Sequence, residues 1–100
     1  MMSAIDQKQP FQMAGKVVVR RIGTDILLVP VSGPAASGQV FPVNGTAECI
    51  WNCLSNGGTP QEAAERLAES FDVGPAEALK DCLECTQAFL DQKLLAEAGS

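Results

Sequence analysis

Histidine is absent from this 100-residue chain. Its absence excludes imidazole-activated nucleophiles, histidine general acid–base chemistry and histidine metal ligation together. No apolar run approaches the length of a membrane span. Residues 1–15 are polar in character, with Ile5 and Phe11 isolated, so the apolar block of a secretory signal is also missing. No internal repeat and no low-complexity tract is present. Positive charge is scarce and unevenly placed. Residues 1–43 carry Lys8, Lys16, Arg20 and Arg21 against Asp6 and Asp25, a net +2. Residues 44–100 carry Arg66, Lys80 and Lys93 against ten acids, a net −7. An acidic half of that kind repels phosphate, which argues against nucleic acid as a partner.

What is present suffices for one domain with a single modest core. The apolar fraction of 46% is that of a globular chain rather than a disordered one. Four cysteines without a secretion signal point to a reducing compartment, and the expected location is cytoplasmic.

Along the chain, the apolar pattern changes character between Phe41 and Trp51. Residues 1–15 read as a loose leader, broken by Pro10 and Gly15. Lys16 to Ile22, with three consecutive valines, reads as a strand. Gly23-Thr24-Asp25 then makes a tight turn, and Ile26 to Val29 a second strand, apolar on both faces. Ser32 to Gly38 has loop composition. Gln39 to Val43 is a short third strand, which Pro42 assigns to a sheet edge because proline cannot donate to a ladder. Asn44 is suited to cap a helix over residues 45–54, whose Ala47, Ile50, Trp51 and Leu54 form one apolar face. Thr59-Pro60-Gln61-Glu62 opens a second helix with a capping-box pattern. A third helix is expected over residues 76–94. Its Leu79, Cys82, Leu83, Cys85, Thr86, Phe89, Leu90 and Leu94 cover more than one face, so it should contact the other helices and something else besides.

Taken in order, Asn44, Thr46, Ala47, Ile50 and Trp51, then Gly57, Gly58, Thr59, Pro60 and Glu62, then Leu94 and Leu95, resemble the pattern of the PqqD-like family. The resemblance spans about residues 16 to 95. It rests on the ordered combination rather than on any single motif. It implies an α+β fold in which a three-stranded antiparallel sheet precedes three helices in a winged helix-turn-helix-like arrangement. It also implies a recognition domain over 16–95, with a flexible segment at 1–15 and a tail at 96–100. Members of the family have no catalytic activity and need no cofactor. They capture the leader segment of a ribosomally made precursor peptide and present it to a modifying enzyme, often a radical-SAM maturase. The leader adds as a strand beside the third strand, in a groove walled by the third helix. Carried onto this chain, the binding strand is Gln39, Val40, Phe41 and Val43, and the opposing wall is Leu79, Leu83, Thr86 and Leu90. Pro42 departs from that pattern. If its nitrogen faces the incoming peptide, one ladder bond is missing.

The same residues admit other chemistries. Cys49 with Cys53, and Cys82 with Cys85, have spacings that share a helical face, so four thiolates are conceivable metal ligands. Free cysteine is among the most buried residue types, however, and Cys-x-x-x-Cys within a helix is not a zinc-knuckle spacing. The core reading is preferred and no metal is expected. Trp51 is read as core. Phe41 is left unphased across Pro42. Glu62, Glu65 and Glu69 form a solvated face that disfavours the alternative of a DNA-binding or regulatory winged helix. An unpaired edge strand invites either peptide or a second copy of the chain.

Overall fold

The computed structural model describes residues 5–99. Residues 1–4 of the expected leader, and residue 100 of the expected tail, lie outside the described residues. The valine-rich block forms β2 (Lys16–Ile22) and the apolar run after it β3 (Asp25–Ser32). They pair antiparallel across a two-residue turn in which Ile22 faces Asp25. Gly23 takes φ 63°, the left-handed value that the first position of such a hairpin turn requires. β4 (Phe41–Val43) pairs antiparallel with β3, giving the sheet order β2-β3-β4. The expected three-stranded antiparallel sheet is therefore present, with the proline-bearing strand at one edge.

Three helices follow, as expected. α1 (Gly45–Leu54) starts where the Asn44 side chain accepts a 2.8 Å hydrogen bond from the Ala47 N–H. α2 (Pro60–Ser70) starts at a complete capping box: Glu62 N–H donates to Thr59 Oγ1 and Thr59 N–H donates to Glu62 Oε1. α3 (Pro75–Asp91) ends three residues earlier than its apolar spacing suggests. Lys93 there adopts φ 63°, with Lys93 N–H bonded to Leu90 O and Leu94 N–H to Phe89 O. This is a Schellman ending with lysine at the left-handed position where glycine is usual. A glycine signal would have revealed the stop; lysine hid it.

The inner face of the sheet and the three helices share one core. Val17 and Leu28 come from the sheet, Ile50, Trp51 and Leu54 from α1, Leu67 from α2, and Cys82 and Phe89 from α3. Trp51 is 2% exposed, and its ring meets Phe89 edge-on at 5.2 Å, so it is a core residue.

One part of the N-terminal expectation needs correcting. Residues 11–15 are not loose. Phe11–Met13 forms β1, paired antiparallel with β5 (Leu95–Glu97), and these two make a separate sheet. Phe11 is buried at 1% exposure, and its N–H donates to Gly58 O. Gln7 O accepts from Gln61 N–H, which ties the segment before β1 to the start of α2. Leu94 and Leu95, the Leu-Leu pair, are both buried beside this second sheet. A three-residue strand is too short to show a period, and its partner lies at the other end of the chain.

Candidate functional site

The sheet has two edges, β2 and β4, and they differ. β2 carries exposed Lys16, Arg20 and Arg21, which discourage pairing along it. Arg21 donates to Glu48 on α1, 2.7 Å to Oε1, tying the outer strand to the helices. β4 has no such charges.

The direction in which each β4 residue points follows from the register. In a two-residue hairpin the closing pair, Ile22 with Asp25, is hydrogen-bonded, and antiparallel pairs then alternate. Leu27 therefore bonds toward Arg20 on β2, and Ile26 and Leu28 bond toward β4. Their partners are Val43 and Phe41, and Pro42 lies opposite Leu27. Hence Phe41 and Val43 spend their backbone groups on β3, while Pro42 turns its ring nitrogen and its carbonyl outward. The side chains alternate the other way. Phe41 lies across from fully buried Leu28 and packs against the core, as does Val43. Phe41 thus faces inward. Within β4 the outward backbone is an acceptor at Pro42.

Beside the end of β4 runs a groove of about 380 Å³ between the start of α1 and one flank of α3. Asn44, Thr46, Ala47 and Ile50 line one side, and Asp81, Glu84, Cys85 and Ala88 the other. The Cys85 thiol is pushed above its ordinary value by burial, and then by the neighbouring Asp81 and Glu84 carboxylates. Among the described residues the one ion pair is Arg21 with Glu48, so no cation is paired with Asp81 or Glu84.

The residues of the expected site do not all come together. Phe41 and Val43 are on the edge strand. Gln39 and Val40 are exposed and precede it rather than belonging to it, because pairing with β3 begins only at Phe41. On α3, Thr86 is fully buried, and its hydroxyl donates to Cys82 O at 2.6 Å, so it offers nothing to a ligand. Leu79 lines a different cleft, with Gln61, Ala64 and Ala68 of α2 and with Gln7. Leu90 faces the N-terminal segment beside Ile5, Gln9 and Phe11. Leu83 is half-buried and shares that flank by helical spacing. The flank bordering the groove at the end of β4 is instead the one carrying Asp81, Glu84, Cys85 and Ala88. A sequence signal for it existed: Glu77, Asp81, Glu84 and Ala88 recur at helical spacing. The pattern did not single itself out, because helix periodicity alone does not say which face a distant strand approaches.

Of the cysteines, Cys82 is fully buried and Cys49, Cys53 and Cys85 are half-buried. Cys49 and Cys53 line a wider cleft of about 830 Å³ between α1 and α2, with Arg66, Glu62, Glu65 and Glu69. Among the described residues no three Cys, Asp or Glu side chains converge as metal ligands do. No helix among them is long and apolar enough to cross a membrane.

A three-stranded sheet with an open proline-bearing edge, a buried tryptophan on α1 and an acid-flanked third helix define a small α+β domain. The chain belongs to the PqqD family, coenzyme PQQ synthesis protein D, whose model matches residues 24–95. Two solved structures share its fold. One is described as TbiB1 in complex with the TbiA(beta) leader peptide. It is 19% identical, with a TM-score of 0.69, over 89% of this chain and 99% of that one. The other, lasso peptide synthetase B1 complexed with the leader peptide, is 20% identical, with a TM-score of 0.70, over 86% and 96%. No curated protein matches the chain.

Proposed function

We propose that this chain is a non-catalytic peptide-recognition module. It takes the leader of a ribosomally made precursor as an added strand along β4 and presents it to a modifying enzyme such as a radical-SAM maturase in the cytoplasm. The observation that carries this reading is the β4 edge. It is the less charged of the two sheet edges, and it ends in a groove against α3. Family membership supports it, as does the description of both structural relatives as leader-peptide complexes. Strand addition supplies affinity through backbone bonds, and the groove selects side chains. Each such bond contributes only about 0.5–1.5 kcal/mol net, so a short ladder needs the groove as well. The binding residues on this reading are Val40, Phe41, Pro42 and Val43 at the edge, with Asp81, Glu84, Cys85 and Ala88 opposite. Self-pairing through the same edge would compete with the peptide.

The test is calorimetric titration with the leader of the precursor encoded beside this chain. Val40→Pro removes the N–H immediately before β4, a donor that an added strand would use, without touching the helices, and binding should be lost. Wild-type protein that binds no neighbouring precursor, with or without the modifying enzyme, would refute the reading.

A further inference from the structure

Nothing about strand addition dictates which side chains the peptide should carry. The groove does. Its floor is apolar, with Ile50 buried at 1% exposure and Ala47, Cys85 and Ala88 around it. Its α3 wall presents two carboxylates one turn apart, Asp81 half-buried and Glu84 exposed, with exposed Glu77 on the same flank one turn earlier. No lysine or arginine lines it. The opposite wall is the start of α1, whose first-turn donors could otherwise attract an anion. There the Asn44 side chain already accepts from both the Ala47 N–H and the Thr46 hydroxyl. Arg21, on the opposite edge strand β2, is engaged by Glu48. Lys80, one turn before Glu84, forms no ion pair with it and offsets only part of the charge of Glu77, Asp81 and Glu84, so the groove combines an apolar floor with net negative charge at its rim. That pairing suits a long aliphatic stem ending in a cation.

We infer that the groove between α1 and α3 seats a lysine or arginine of the leader peptide, its stem over Ile50 and Ala47 and its charged head between Asp81 and Glu84. This rests on β4 as the leader-binding edge and adds the chemical class of residue that the site selects. The groove opens at the β4–α1 joint, within reach of a peptide strand leaving that edge. The attraction acts across a partly wet rim, so salt screens it.

Peptides tiling the neighbouring precursor are titrated into the full chain at low and at high salt, with each basic residue replaced in turn by glutamine. One replacement should weaken low-salt binding by about three- to tenfold, less at high salt. In the Asp81→Asn/Glu84→Gln variant the same replacement should cost nothing. Ala88→Lys places a cation on the same exposed flank and should weaken the basic peptide more than its glutamine version, independently of the first variant. If no basic residue matters, or if its effect persists unchanged in the neutralised variant, the charge seat is wrong while strand addition stands. If wild-type protein binds no peptide, or Val40→Pro binds as well as wild type, the edge reading itself fails and the seat falls with it.

Discussion

At the scale of single residues, Pro42 and Cys82 have consequences that can be measured. Pro42 turns its nitrogen away from β3, so the open edge lacks one donor where a peptide strand would seek it. Pro42→Val restores that donor. Peptide affinity should rise by about 0.5–1.5 kcal/mol, up to roughly tenfold, in the same titration. Self-association by sedimentation should rise too, because proline at an edge also guards against pairing of copies. Cys82 sits fully buried on α3, and burial, followed by its proximity to Cys85, pushes its thiol from 9.0 up to about 12. Its folded-state value lies above its unfolded one. The stability this contributes is complete below about pH 9 and is lost as pH rises toward 12. Thermal unfolding should therefore fall through that alkaline window, and Cys82→Ala should flatten the fall while lowering stability at neutral pH through the cavity it leaves.

At the scale of elements, helix starts were legible because capping is local. Asn44 and Thr59 cap the helices that their sequence positions announce, since a side chain reaching three residues ahead needs no tertiary partner. Thr59→Ala removes one of the two reciprocal bonds of the capping box, and chemical denaturation should show a loss of about 1 kcal/mol. The end of α3 was not legible, because Lys93 occupies a conformation that lysine does not advertise. Which flank of α3 borders the groove beside β4 was not legible for a related reason. Its leucines mark where α3 meets α2 and the N-terminal segment, and its acids mark the groove. Hydrophobic surplus on a helix shows that several neighbours exist without saying which neighbour lies on which side.

At the scale of the whole molecule, the two ends of the chain close against each other. β1 and β5 pair, and Phe11 fills a buried site beside Leu94 and Leu95. Phe11→Ala should cost about 3–5 kcal/mol in denaturant unfolding, as for other large buried aromatics, although the residue lies in a segment that reads as a loose leader. An effect near zero would mean that the end-to-end sheet contributes little.

The sequence by itself determined the α+β class, the order of the three principal strands and three helices, the caps, and the tryptophan core. Each depends on periods and contacts a few residues long. Only the tertiary structure decided that residues 11–13 are a strand, that Pro42 turns outward and Phe41 inward, and that the acidic rather than the leucine flank of α3 borders the groove beside β4. Those three facts are set by partners far away in the chain and by the phase of a hairpin register, and neither is fixed by the residues concerned alone.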